Sequence, residues 1–247
     1  MATMTTPATA AKDPKLKALE DEIVELANAQ HESYAYRHLF AVRLTIPRVR
    51  AHHLQKALWV LNRRACWAYA QAASPFDVKQ LIWDHEAEEL GGDRSRGLDN
   101  HYALNVKQGA PFGLTAEDYA KARPTDATLT CLHAWIRLAK DSPWLKSVAA
   151  SAALELSNSD EILRSASASR RMAQKIRDEL GIGIERQDSF KEHMVADIEH
   201  AHLLMKVARD HARTDAEREL ILEGVRESWA IDRVFRDSLA SMMDAID

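Results

Sequence analysis

Glycine and proline are scarce in this chain, at 8 and 7 of 247 residues. Strand-rich folds lean on both for their many turns, so the scarcity leaves little material for one. Cysteine is scarcer still. Cys66 and Cys131 form no CxxC pair and read as buried, reduced thiols of a cytoplasmic protein. No apolar run approaches the roughly 18–20 residues that cross a bilayer, so no membrane partner is expected. The Ala/Thr-rich start lacks the apolar core of a signal peptide. Residues 1–14 are expected to form a disordered tail ahead of a single domain over 15–247. No basic run stands out and the formal net charge is −4, which argues against a nucleic-acid partner. What is present is ordinary for a soluble globular chain: 46% hydrophobic and 28% charged residues.

The hydrophobic spacing is helical from one end to the other. A charged amphipathic helix is expected over Lys15–Asn28, a second over Ala29–Phe40, and a break from Leu44 to Pro47. A long Leu/Trp/Ala-rich helix then runs from Val49 to Ala73 and stops at Ser74-Pro75. Trp59, Trp67 and Tyr69 on it read as core or pocket wall, and His52 and His53 as surface. Phe76–Leu90 follows, stopped by Gly91-Gly92. Asp99 reads as the cap of a helix containing His101. Further helices are expected to start at Thr115, over Leu129–Lys140, and from Ser142-Pro143 to Arg164 with Glu155 inside it. Ser165–Leu180, Gln187–His211 and Thr214–Ala245 complete an all-α fold of about seven to nine helices.

One stretch concentrates the chemistry. Taking about 100° per residue, His193, Asp197 and His200 lie at about 0°, 40° and −20° on their helix, in one narrow stripe. Two imidazoles and a carboxylate on one face are costly to bury unless something satisfies them, and a divalent transition metal does so. On the Phe76–Leu90 helix, His85 and Glu89 continue the apolar stripe of Val78 and Ile82, at about −20° and 20° from Val78. Glu86 and Glu88 flank that stripe, so Glu89 is the favoured acid of the three. Glu155 sits among small residues, where a carboxylate needs a partner; a metal or one of Arg164, Arg170 and Arg171 would serve.

Glu89, His101, Glu155 and the His193-x3-Asp197-x2-His200 run follow one another in an order that resembles the heme-oxygenase-like diiron oxidases, relatives of the TenA thiaminases and of the pyrroloquinoline-quinone synthase PqqC. The resemblance runs from about Ala29 to Ala240. It implies a single-domain heme-oxygenase-like helical bundle. It implies that Glu89, His101, Glu155, His193, Asp197 and His200 hold two Fe(II) ions, or an iron–manganese pair, with O2 as co-substrate and no catalytic residue beyond the ligands. The implied reaction is oxidation of a small carboxylate, an amino acid or a fatty acid, by desaturation, N-oxygenation, or oxidative C–C cleavage or decarboxylation. A homodimer and an external electron donor are compatible with it. Two departures are visible: the gap from Glu89 to His101 is long, and Ala51–Ala73 contains no acid where some members carry a further bridging Glu. The rival readings are a metal-independent TenA- or PqqC-like enzyme using a catalytic Cys66 or Cys131 or a cofactor pocket, a heme oxygenase using His31 or His38, a ferritin-like diiron bundle, for whose two Glu-x-x-His motifs only Asp197-x-x-His200 comes close, and a helical interaction module without enzymatic activity.

Overall fold

Pro14 and Pro47 each occupy the first turn of a helix, where a missing N–H costs nothing. Pro47 therefore starts the long helix rather than breaking the chain before it: Thr45 caps the backbone N–H of Arg48 and the helix runs Ile46–Ala73. The computed structural model describes residues 13–93 and 96–247, with backbone alone over 195–201. The expected tail over 1–14 falls almost wholly outside them.

Among the described residues there are eleven α-helices, three short 3-10 turns and no strand, so the all-α expectation holds while the helix number exceeds seven to nine. In order they are α1 (Pro14–His31), α2 (Tyr34–Ala41), α3 (Ile46–Ala73), α4 (Phe76–Gly91), α5 (His101–Gln108), α6 (Ala116–Lys121), α7 (Asp126–Asp141), α8 (Trp144–Ala153), α9 (Ala168–Leu180), α10 (Asp188–His211) and α11 (Asp215–Asp244). α1 extends three residues past the expected join at Asn28, and α2 starts only after Glu32-Ser33. The cap of α5 is Asn100, whose side chain accepts from the Ala103 N–H at 2.8 Å, and not Asp99.

The largest correction lies after α8. The expected helix to Arg164 ends at Ala153, and Glu155 stands in a 3-10 turn, Glu155–Asn158. Ser157, Asn158 and Ser159 follow it, residues whose side chains compete with helical hydrogen bonds. The next helix begins only at Ala168, with Ser167 capping Arg170.

One large core runs through the molecule, with a small satellite cluster of Ala57, Leu114 and Tyr119 beside α3. α11 packs on α8 and also along α2, α7 and α3. Gly224 of α11 faces α8, where an added Cβ would press on the Lys146 carbonyl and the Ala149 side chain. α3 crosses α7, α8, α4 and α5, while α10 covers the 155–158 turn, α9, α5 and α8. The space between α3, α4, α5, α10 and the 155–158 turn is where the polar residues gather. No helix among the described residues is long and apolar enough to cross a membrane. Cys66 and Cys131 are both buried and unpaired with each other.

Candidate metal centre

α4 turns Val78, Ile82, His85 and Glu89 inward, as the stripe predicts, with Glu89 only 6% exposed. Glu88 points outward and Glu86 is half-buried. The Glu89 Oε1 atom lies 2.8 Å from His101 Nδ1, and its Oε2 lies 2.9 Å from Arg64 Nη1. Burial works to raise the Glu89 pKa, but the Arg64 guanidinium and the His101 imidazole prevail and hold it well below the usual carboxylate range.

Glu155, on its 3-10 turn, is equally buried. Its Oε1 pairs with Arg63 Nη2 and lies 3.2 Å from His85 Nε2. Arg63 also donates to the Ser151 carbonyl at 3.0 Å. The partner of Glu155 is thus Arg63, and none of the three arginines considered from the sequence. Arg164 is bound to Glu25 and Glu32, Arg170 to Asp160, and Arg171 lies 3.8 Å over the Phe40 ring. His85, Glu89 and Glu155 each present one donor atom within 4.8 Å of the others, and all three are buried.

His193 joins from α10. Its ring centroid is 4.8 Å from that of His101, and its Nδ1 is 2.6 Å from the Ser189 carbonyl. A carbonyl only accepts, so Nδ1 carries a proton, which leaves Nε2 as the ring nitrogen to offer a metal. The position of α10 is set by the Gln108 side chain, which accepts from the Phe190 N–H at 2.8 Å. The side chains of Asp197 and His200 lie outside the described residues; their backbone is helical, one and two turns beyond His193.

Of the six residues expected from the sequence, four therefore converge: Glu89 with His101, His101 with His193, and Glu155 across the same space. His85, Arg63 and Arg64 were not among them. The α4 stripe already carried His85 inward, and that was the signal for it. Arg63-Arg64 was the one basic pair in a stretch of α3 without acids. A pairing with glutamates on other elements cannot be read from spacing.

The donor set fits iron: imidazole nitrogens and carboxylate oxygens, all buried but the half-buried His193, around one space. His85, Glu89 and Glu155 form one lobe, and Glu89, His101 and His193 the other, with Glu89 common to both. Trp67, fully buried, lies 4.9 Å from the His85 ring and walls off one side.

A cavity opens from this cluster toward α2, α9 and α11, with about 740 Å³ of atom-free space including its mouth. Leu39, Phe40, Trp59, Leu154, Met172 and Phe190 supply apolar walls, and His52, Lys56, Arg63, Arg64 and Arg236 supply polar ones. Trp59 is thus pocket wall and Trp67 core, while Tyr69 is 40% exposed. His52 and His53, expected at the surface, are buried. Burial and the nearby Lys56 and Arg236 cations push the His52 pKa down to about 3, so its imidazole is neutral.

The heme and thiol alternatives do not meet this cavity. His31 and His38 are not among its walls. His31 packs 4.4 Å from the Tyr36 ring, and His38 is bound by Asp237 and Asp244. Burial pushes the Cys66 and Cys131 thiols up to about 11, away from the thiolate a nucleophile requires.

Comparison with known proteins agrees with this picture. No curated protein matches the chain significantly. A CADD-like protein of unknown function from Nostoc punctiforme superposes with a TM-score of 0.71 at 18% identity, covering 95% of this chain and 100% of that one. A domain of unknown function with a heme oxygenase-like fold from Shewanella denitrificans gives a TM-score of 0.72 at 14% identity, covering 93% of each chain. A TenA homologue from P. horikoshii gives 0.58 at 17% identity, covering 90% of this chain and 97% of that one. These likenesses establish a heme-oxygenase-like fold. The family model described as "Iron-containing redox enzyme" matches residues 50–233, three-quarters of the sequence, from the first turns of α3 to within α11. The chain belongs to this family of iron-containing redox enzymes.

Proposed function

We propose that the chain is a non-heme diiron oxidase that activates O2 to oxidise a small carboxylate, an amino acid or a fatty acid. The observation that carries the reading is that Glu89, His101 and Glu155, all buried, line one cavity together with half-buried His193, with buried His85 beside Glu155. Buried carboxylates and imidazoles are expensive without a cation to hold. Glu89, His101, Glu155, His193, Asp197 and His200 would hold the two ions, with His85 a further donor beside Glu155. Bound there, ferrous iron would supply the site for O2 and the electrons that reduce it.

The protein's own groups do the rest. Arg63 and Arg64 orient Glu155 and Glu89 and balance their charge before metal arrives. His193 is fixed in its tautomer by the Ser189 carbonyl. Trp67, Leu154 and the apolar cavity walls exclude bulk water from the cluster, which preserves the strength of every charge inside it. The reaction itself would be a desaturation, an N-oxygenation, or an oxidative C–C cleavage or decarboxylation, with electrons beyond those of the iron drawn from an external donor.

The test is oxygen uptake by protein loaded with Fe(II) under anaerobic conditions and then mixed with O2, over a panel of amino acids and medium-chain fatty acids. Uptake that a carboxylate accelerates, and that Asp197→Ala or His200→Ala abolishes, is the expected result. Turnover of a thiamin- or quinone-like compound by metal-free protein, with no oxygen uptake by the loaded form, would replace this reading with a metal-independent one.

A further inference from the structure

The α3–α4 hairpin has two faces, and the metal centre uses only the inner one. The helices run antiparallel on either side of Ser74-Pro75. Arg64 meets Glu86 at 2.6 Å, and Lys79 Nζ donates to the Gln71 carbonyl at 2.8 Å, so these four residues mark the seam between the helices. Counting about 100° per residue from Arg64 on α3, the buried Arg63 and Trp67 lie at about −100° and −60°. Counting likewise from Lys79 on α4, the buried Val78, Ile82, His85 and Glu89 lie between about −60° and −120°. That is the side on which His85 and Glu89 meet the cluster.

The opposite arc is apolar and exposed. On α3, Leu61, Ala65, Ala68 and Ala72 lie at about 60°, 100°, 40° and 80° from Arg64. On α4, Phe76, Gln80, Trp83, Ala87 and Leu90 lie at about 60°, 100°, 40°, 80° and 20° from Lys79. In an antiparallel pair, equal rotations away from the seam turn both helices to one side, so the two rows form a single outer face. All of these residues are exposed, with Phe76 at 75%, Trp83 at 68% and Leu90 at 60%. Gln80 is the one polar residue among them and none is charged; exposed Tyr69 borders the row on α3. At about 200 Å² for a whole aromatic side chain, Phe76, Trp83 and Tyr69 alone present about 370 Å². The leucines, the alanines and Gln80 bring the face close to the roughly 800 Å² per partner of a stable interface.

We propose that this outer face of the α3–α4 hairpin is the seam of a two-fold dimer, in which α4 of each copy lies on α3 of the other. The shapes select this pairing. α4 carries the bulky row, Phe76, Trp83 and Leu90, whereas α3 carries the small one, Ala65, Ala68 and Ala72. A two-fold axis along the helices sets each bulky row on a small row, the alternation that close packing needs; an axis across them would set α4 on α4 and bulk against bulk. Heights agree. Arg64 is level with Glu86 and Gln71 with Lys79, so Trp83 of one copy comes down by Ala68 of the other, and Phe76 by Ala72. The edges agree as well: Asp84 and Glu88 stand on the far edge of α4, and Arg137 and Lys140 on α7 beside α3, where Lys140 lies 5.9 Å from the Tyr69 ring. The same two-fold brings the acidic edge of each copy toward the basic edge of the other. The product is a four-helix bundle with antiparallel neighbours, and the metal-facing sides of both hairpins point away from it. The dimer does not depend on what the centre oxidises.

The experiment is sedimentation velocity of the full chain over a range of concentrations, with circular dichroism as the check on folding. The wild type is expected to sediment as a dimer. Trp83→Glu, which puts a charge at the centre of the seam, should weaken the dimer about hundredfold or more while helix content is kept. Ala68→Glu, on the other helix, should do the same and carries the test if Trp83→Glu fails to fold. Tyr34→Glu, at an exposed aromatic of α2 outside this face, should stay dimeric. The pairing of α4 with α3 is read separately by a short bis-maleimide, the native Cys66 and Cys131 being buried. Ala65→Cys chains mixed with Ala87→Cys chains should cross-link to each other, and neither should cross-link alone. A wild type that is monomeric at every concentration would overturn the proposal, as would a dimer that survives both glutamate substitutions. Cross-linking of Ala65→Cys chains among themselves as readily as to Ala87→Cys chains would overturn the pairing.

Discussion

Arg64 divides its guanidinium between Glu86, at 2.6 Å, and Glu89, at 2.9 Å. Without metal it is the cation that makes a buried Glu89 tolerable. Arg64→Met should therefore destabilise the metal-free protein by about 3 kcal/mol, the cost of removing the cation partner of a buried carboxylate. Fe(II) should recover most of that loss, because the ion supplies the missing charge. Thermal melts of the variant with and without iron check this; a metal-free variant as stable as the wild type would contradict it. A second residue-scale effect comes from His31, which burial pushes down to about 3. Its folded pKa is below its unfolded value near 6.5, so in that window only the unfolded chain takes the proton. The stability from a neutral His31 is full above about pH 6.5 and is lost as pH falls toward 3, by up to about 1.4 kcal/mol per pH unit. Urea midpoints measured from pH 7 to 4.5 should fall, and fall less steeply in His31→Phe. Equal slopes would show that His31 does not titrate across unfolding.

At the scale of elements, the α11–α8 packing is the test of how closely the helices must approach. Gly224 has no room for a methyl group against the Lys146 carbonyl and Ala149. Gly224→Ala gains helix propensity, yet overpacking typically costs about 1–3 kcal/mol. The expected net effect is a lower melting temperature by several degrees with unchanged helix content by circular dichroism; a raised one would mean the pair can separate cheaply. The α11 start is simpler. Thr214 and Glu217 form a reciprocal capping box, so Thr214→Ala should cost about 1 kcal/mol. Helix spans were legible in the sequence where periodicity and breakers agree, as over Phe76–Gly91, which ends at a Gly stop, and Asp188–His211, which holds no Pro or Gly. Glu155 was misplaced because Ala149 to Leu154 continues a helical pattern that ends only where the serines and Asn158 offer the backbone other partners. Pro47 was misread because a proline marks a helix start and a helix stop with the same letter.

For the whole molecule, the centre was half visible from the sequence. Periodicity alone turned Glu89 inward and put His193 on the stripe it shares with Asp197 and His200. The order of the motifs linked them to Glu155 and His101. The charge balance was not visible. Arg63 and Arg64 meet their glutamates only once α3, α4 and the 155–158 turn have packed, and His52 and His53 are buried by neighbours far away in sequence. The central claim, that these groups gather to hold iron, is tested most directly by counting iron. Protein loaded with Fe(II) without oxygen and then freed of excess metal should retain two ions per chain. Glu89→Ala, at the residue common to both lobes, should retain markedly less, whereas Glu88→Ala, one position away and facing out, should match the wild type. No retained iron in the wild type, or equal iron in Glu89→Ala and the wild type, would contradict the account.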